Sequence, residues 1–379
     1  MTIAPDLARK AKLLGLALLI GVPLIALVAV YTQRFIDARH LPVLTVPLGE
    51  HAEEVVEEVA DRRTPQLQAL DDALFDAGSS LDSHLGIAVV DVATGRAADF
   101  NGREPMPQQS VSKMWVALAA LDLADRGTLN LNEVATVRRQ DLTLFHQPIR
   151  EQVVSQGSFR ATYGELMRLA ITGSDNTAND MLLRRVGGPK VVRSILAQKD
   201  IDGIRFGPGE RLMQSGIAAL KWDPSFSVGR SFYDARDMVP AAARREAFER
   251  YVDDPVDGAT ALAIARTLAR LAKGDLLSPA STERLVGLMR QAKSGPNRLK
   301  GGAPSGWTVA HKTGTGQELA TSGRKEQAGY NDIAILTAPD GRRYAVAVLI
   351  GRTDKPIPER MDMMHRVVAA VVAYHEAMG

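Results

Sequence analysis

The chain has 379 residues, with 46 lysines and arginines against 44 acidic residues and no cysteine. This near-balanced charge points to no class of partner and the chain shows no nucleic-acid motif, while the missing cysteines exclude disulfides and thiol nucleophiles. Seven histidines are scattered without His-x-x-x-His spacing, so neither a metal site nor a cofactor is expected.

Arg9, Lys10 and Lys12 precede residues 13–31, nineteen positions without a charge. That length suits a bilayer span and exceeds the usual apolar core of a signal peptide. Basic residues ahead of it favour a cytoplasmic tail over 1–12 and a signal anchor over 13–31. The expected location is therefore the inner (cytoplasmic) membrane, single-pass, with the body in the periplasm. No clean small-x-small site follows the span. Cleavage and release to the periplasm is the second reading. Residues 32–64 read as a stalk, extended through Leu41 to Pro47 and charged from Glu50 to Arg63.

The body spans 65–379, long enough for a two-lobed domain with a substantial core. A helix is expected over 65–77, a strand over 85–91 and a second strand after Thr94-Gly95. Residues 101–304 carry helical patterns. Strands return near 307–315, 330–338 and 343–351, the last two joined by Asp340-Gly341. The expected class is α+β. An antiparallel sheet flanked by helices (65–100 and 305–379) receives an all-helical lobe (101–304), with a cleft between them.

Three motifs stand in order: Ser110-Val111-Ser112-Lys113, Ser174-Asp175-Asn176 and Lys312-Thr313-Gly314. The first follows a turn at Pro105-Met106-Pro107 and precedes an apolar helix former, 114–121. Lys113 then lies one turn from Ser110 on the same face, and the helix dipole favours negative charge developing at the serine. The second lies between two helical patterns, and the third on a strand that leaves Thr315 at an edge. A second Ser-x-x-Lys, Ser322 to Lys325, opens no helix and is read as coincidence. Together the three supply a hydroxyl nucleophile, two lysines, a second hydroxyl and an amide. These are the parts of a serine acyl-transfer enzyme that uses no histidine base.

Over 65–379 the sequence resembles the penicillin-recognising serine hydrolases, and more narrowly the class A β-lactamases. Residues 170–178, Val186-Gly187-Gly188-Pro189-Lys190 and Tyr330-Asn331-Asp332-Ile333-Ala334-Ile335 are similar to segments of that class. The resemblance implies a β-lactamase/transpeptidase-like fold and a β-lactam opened through an ester on Ser110. Lys113, or a glutamate acting through water, would remove the serine proton. Ser174, near Lys312, would relay a proton to the lactam nitrogen. Asn176 would bind the substrate's side-chain amide and Thr313 and Lys312 its carboxylate. The backbone N–H groups of Ser110 and Thr315 would form the oxyanion hole, and Gly314 would join the substrate-binding residues.

Class A enzymes also carry a Glu-x-x-Leu-Asn loop that activates the deacylating water. Counting 36 residues from Ser174 reaches Glu210, which opens Glu210-Arg211-Leu212-Met213-Gln214. Met213 and Gln214 stand for the leucine and asparagine. Pro208 replaces the usual arginine before the glutamate, while Arg205 matches a basic position. An extra segment near 217–257 contains Trp222, Phe226, Phe232 and Tyr233, which would either cover the site or pack on the body. Phe145 matches an aromatic at the cleft mouth. Asn331 stands where many relatives have an arginine, and Arg360 on the last helix is the expected substitute. A monomer acting on a small β-lactam is expected. The alternatives are a D,D-carboxypeptidase or endopeptidase acting on peptidoglycan peptides, and a non-catalytic membrane-anchored β-lactam sensor. Glu210 favours the hydrolase, and the short tail argues against the sensor.

Overall fold

The computed structural model describes residues 64–379 apart from Ser322. The expected tail, anchor and all but the last residue of the stalk lie outside the described residues. Among the described residues, no helix is long and apolar enough to cross a membrane.

Thr64 opens the first helix by accepting from the Leu67 amide at 3.3 Å, and Pro65 takes a first-turn position that needs no N–H. This helix, α1 (Pro65–Ser79), leads to β1 (His84–Asp91), β2 (Ala97–Phe100) and β3 (Pro105–Pro107). A 3-10 turn at Gln109–Ser112 then feeds α2 (Lys113–Asp125). The chain continues through β4 (Val134–Arg138), α3 (Arg150–Gln156), β5 (Ser158–Thr162), α4 (Tyr163–Thr172), α5 (Asn176–Val186) and α6 (Pro189–Gln198). Next come α7 (Glu210–Ile217), α8 (Ser231–Met238), α9 (Ala241–Asp253), β6 (Gly258–Thr260), α10 (Ala261–Lys273) and α11 (Pro279–Arg290). It returns as β7 (Thr308–Thr315), the hairpin β8 (Glu318–Thr321) and β9 (Arg324–Gln327), β10 (Tyr330–Thr337) and β11 (Arg343–Arg352). The last element is α12 (Ile357–Ala377).

The main sheet runs β2-β1-β11-β10-β7 with every neighbouring pair antiparallel. Its central strands are buried on both faces, and their period of two sorts residues between two cores. On β11, Tyr344, Val346, Val348 and Ile350 join Leu70, Leu74 and Val367 of the flanking helices α1 and α12. The alternate Ala345, Ala347 and Leu349 face the helical lobe, where α10 brings Ile264, Ala265 and Leu268. Alanine meeting alanine lets α10 sit close to the sheet, while each fully buried Val or Ile on the other face contributes about 1.5–3 kcal/mol.

The lobe between the sheet halves is not all-helical. Two short antiparallel ribbons lie within it, β3 with β6 and β4 with β5. Segments of three to five residues are too short to show a period, and the β3–β6 partners, 151 to 155 positions apart, cannot be read locally. The β8–β9 hairpin was likewise not expected.

Candidate active site

Ser110 sits in a turn that is held from every side. The residue before it, Gln109, has left-handed backbone (φ 55°), which a non-glycine residue adopts only when its surroundings enforce it. The Gln109 amide donates to Asp257 Oδ2 at 2.7 Å, and its side-chain Nε2 donates to Tyr251 Oη at 2.6 Å. Gln108 is fixed by Trp115, whose indole donates to its Oε1 at 2.5 Å, and by its own bonds to the Arg205 and Asp257 carbonyls. Asn331 donates to the carbonyls of Pro107 and Gln108. The residue in the usual arginine position therefore ties the nucleophile turn to the sheet. Gly314 is required here because a Cβ would lie 2.3 Å from the Gln108 carbonyl oxygen.

Lys113, the first residue of α2 and fully buried, joins the two groups the chemistry needs. Its Nζ donates to Ser110 Oγ at 2.7 Å and to Glu210 Oε1 at 2.5 Å. Glu210 is the first residue of α7, and its own N–H donates to Asp180 Oδ1 at 3.2 Å. Asp180 is buried. That burial, with the negative Glu210 nearby, raises its carboxyl to about 6.

Ser174 and Asn176 arrive on the loop between α4 and α5. Ser174 has left-handed backbone (φ 56°), and its Oγ accepts from Lys312 Nζ at 3.0 Å. Asp175, between them, is structural. Its carboxylate caps α5 through the Ala178 amide and also accepts from the Ile149 amide. Asn176 donates to the Leu144 carbonyl at 2.8 Å, which fixes its amide at the cleft. Lys312 is fully buried; desolvation, reinforced by the charge of Lys113, drives its ammonium well below the ordinary lysine value.

A cavity of about 570 Å³ opens over these groups and is lined by Ser110, Asn176, Gln214, Thr315 and Phe145. Gln214 completes its floor. Its Nε2 donates to Gln109 Oε1 at 2.9 Å and to Glu210 Oε2 at 3.3 Å, while Gln317 donates to its Oε1 at 3.0 Å. Gln109 thus connects the glutamate helix to Tyr251 of α9.

The insertion makes the outer wall. Phe232 is buried edge-on against Phe145 with ring centres 5.0 Å apart, and Phe226 packs on Phe232. Trp222 stacks under the Arg211 guanidinium. Tyr233 alone of the four named aromatics lines the cavity, so the segment both packs on the body and faces the site.

Two residues expected at the substrate carboxylate have protein partners. The Thr313 hydroxyl pairs with Ser294 Oγ at 2.7 Å. Arg360 is buried, donates to the Lys355 carbonyl and to Gln327, and lies over the Tyr330 ring. Arg298 stands closer to the motif strand, donating to the Gly314 and Asn331 carbonyls and to Thr315 Oγ1 at 2.6 Å. Arg298 and Tyr251 gave no signal in the sequence because both act through tertiary contacts. Asp180 left a trace, four residues after Asn176 and so on the same face of α5. Among the described residues, no cluster of histidine or carboxylate side chains is arranged to hold a metal ion.

Known proteins resemble this chain in sequence and fold. A sequence model of the β-lactamase enzyme family matches residues 67–375. A β-lactamase of Amycolatopsis lactamdurans is 27% identical over 301 residues, 79% of this chain and 83% of that protein. Among solved structures, an ancestral class A β-lactamase is 30% identical with a TM-score of 0.61, covering 80% of this chain and 98% of that one. The TLA-3 extended-spectrum β-lactamase shares the fold at a TM-score of 0.66 and 23% identity, covering 82% of this chain and 99% of that one. With a nucleophile turn, two lysines and a buried glutamate on this fold, the chain belongs to the β-lactamase enzyme family, as a class A serine β-lactamase.

Proposed function

We propose that Ser110 opens the β-lactam ring and that Glu210 frees it from the resulting ester. The observation that carries this reading is Lys113, whose ammonium bonds at once to the nucleophile and to the glutamate. A proton leaving Ser110 has a path to Glu210 through Lys113 or through a water. As Oγ attacks the lactam carbonyl, charge develops on its oxygen, and the Ser110 and Thr315 N–H groups would donate to it. The C–N bond then breaks, and Ser174 delivers its hydroxyl proton to the nitrogen. Lys312, hydrogen-bonded to Ser174, supplies the replacement. Its lowered affinity for a proton suits a donor. Glu210, steadied by Gln214, takes a proton from water, which attacks the ester and releases the product. Arg298, rather than Arg360, supports the strand edge where the substrate carboxylate would lie.

Multiple turnovers of a chromogenic cephalosporin by the purified full-length chain would support the reading. A burst of one equivalent followed by silence, unchanged in Glu210→Gln, would sink it. The uncharged run over 13–31 supports tethering in the inner membrane with the catalytic region outside. If alkaline carbonate released the protein from membranes, that assignment would be wrong.

A further inference from the structure

The insertion does more than close the cavity. On α8, Tyr233, Arg236 and Asp237 fall on one face at helical spacing, and on α9 so do Arg244 and Phe248; all five line the cavity that holds Ser110. Most arginines of this segment are spent on nearby carboxylates. Arg245 bonds to Glu249 at 2.9 Å and Arg250 to Glu246 at 2.5 Å. Arg236 and Arg244 are different. Each has a buried Nε without a hydrogen-bond partner, and the Arg236 guanidinium rests on the Tyr233 ring at 5.3 Å. The carboxylate paired with Arg244 is Asp237, at 3.9 Å and largely exposed, where solvent screens it. Across the cavity the β8–β9 hairpin adds Lys325 and Glu318, which face each other at 3.9 Å in solvent. Three cations and two carboxylates therefore line this end.

We propose that this wall is an anion-accepting subsite for the acyl side chain, favouring β-lactams whose side chain joins an aromatic ring to a carboxylate. The proposal rests on acylation at Ser110 as described above. With the side-chain amide held at Asn176, the group beyond it would extend through the cavity that α8 and α9 line. Tyr233, Phe248 and Phe145 offer ring faces there, and two guanidinium forks offer planar, paired donors suited to a carboxylate. A lysine presents a point charge and lacks that fork, so geometry as well as charge is recognised.

The test compares benzylpenicillin with its derivative carrying a carboxylate on the side-chain carbon. Acylation rates and kcat/KM are measured for the full-length chain, Arg236→Gln, Arg244→Gln and the double substitution. The wild-type preference for the carboxylated substrate should fall about tenfold or more in the double substitution, chiefly through KM. Arg236→Lys and Arg244→Lys, which keep the charge, should recover part of it, and thermal melts identify any variant that has unfolded. A wild-type ratio at or below one overturns the subsite, as does a ratio that survives both glutamines in folded protein. If benzylpenicillin acylates Ser110 but never turns over, the hydrolase reading fails, while the ratio of acylation rates still decides the subsite.

Discussion

The two walls of the cleft are built on opposite principles. The inner wall, formed by the nucleophile turn, α5, α7 and β7, places Lys113, Lys312 and Glu210 in the interior, each with a partner within 3.0 Å. The outer wall, formed by α8 and α9, leaves Tyr233 about two-fifths exposed and two guanidinium groups incompletely satisfied. Buried charges require fixed partners because leaving one unpaired costs several kcal/mol, and fixed partners mean fixed geometry. A half-exposed wall escapes that demand and can follow the substrate.

The inner wall should tolerate almost no change. Ser110→Ala is expected to lower hydrolysis about 10⁴-fold or more in a chromogenic assay, since it removes the hydroxyl bonded to Lys113. Glu210→Gln should reduce turnover about 10²–10⁴-fold while acylation continues. Mass spectrometry would then show the ester accumulating on Ser110. A variant that turns over normally would remove Glu210 from deacylation.

Asp180 tests whether the inner wall is optimised for stability or for position. Its folded value of about 6 lies above the ordinary 3.8, so the folded state holds the proton more tightly than the unfolded chain. Stability from this group is present below about 3.8, falls as pH rises toward 6, and is fully lost above it. Asp180→Asn keeps an oxygen for the Glu210 amide and removes the buried charge. It should gain on the order of 2 kcal/mol at pH 8 and almost nothing at pH 4, read from urea midpoints. An equal gain at both values would refute the titration argument.

The smallest effect concerns the joint between the walls. Tyr251 belongs to the outer segment yet accepts from Gln109, and Gln109 in turn accepts from Gln214. Tyr251→Phe leaves a buried N–H unpaired, at a cost of about 1–3 kcal/mol. If the walls are coupled through this bond, deacylation should slow severalfold in pre-steady-state traces while acylation is unaltered. If only the melting temperature moves, the outer wall is merely attached.

Much of the inner wall was legible beforehand because its residues come in short motifs. Ser110 with Lys113, and Ser174 with Asn176, are fixed relative to one another by a helical turn or a single loop, so spacing encodes geometry. The strands of the main sheet were found to within two residues for a similar reason: β1, β10 and β11 are long apolar runs closed by turn residues. Glu210 was reached by counting 36 residues from Ser174, the spacing the class A resemblance implies, and α7 begins at that residue.

What remained hidden depends on contacts across long stretches of chain. No local pattern shows that Asn331 binds the nucleophile turn 223 and 224 residues earlier, or that Arg298 and not Arg360 reaches Thr315. The insertion is the clearest case. Its aromatics announced a packed segment, but which ring is buried and which lines the cavity was decided by how α8 lies against Phe145. The sequence by itself determined the chemistry because its groups come in short recognisable motifs, Ser110 with Lys113, Ser174 with Asn176, and Lys312 with Gly314. Only the tertiary structure decided the shape and charge of the space around them, because those arise where distant segments meet.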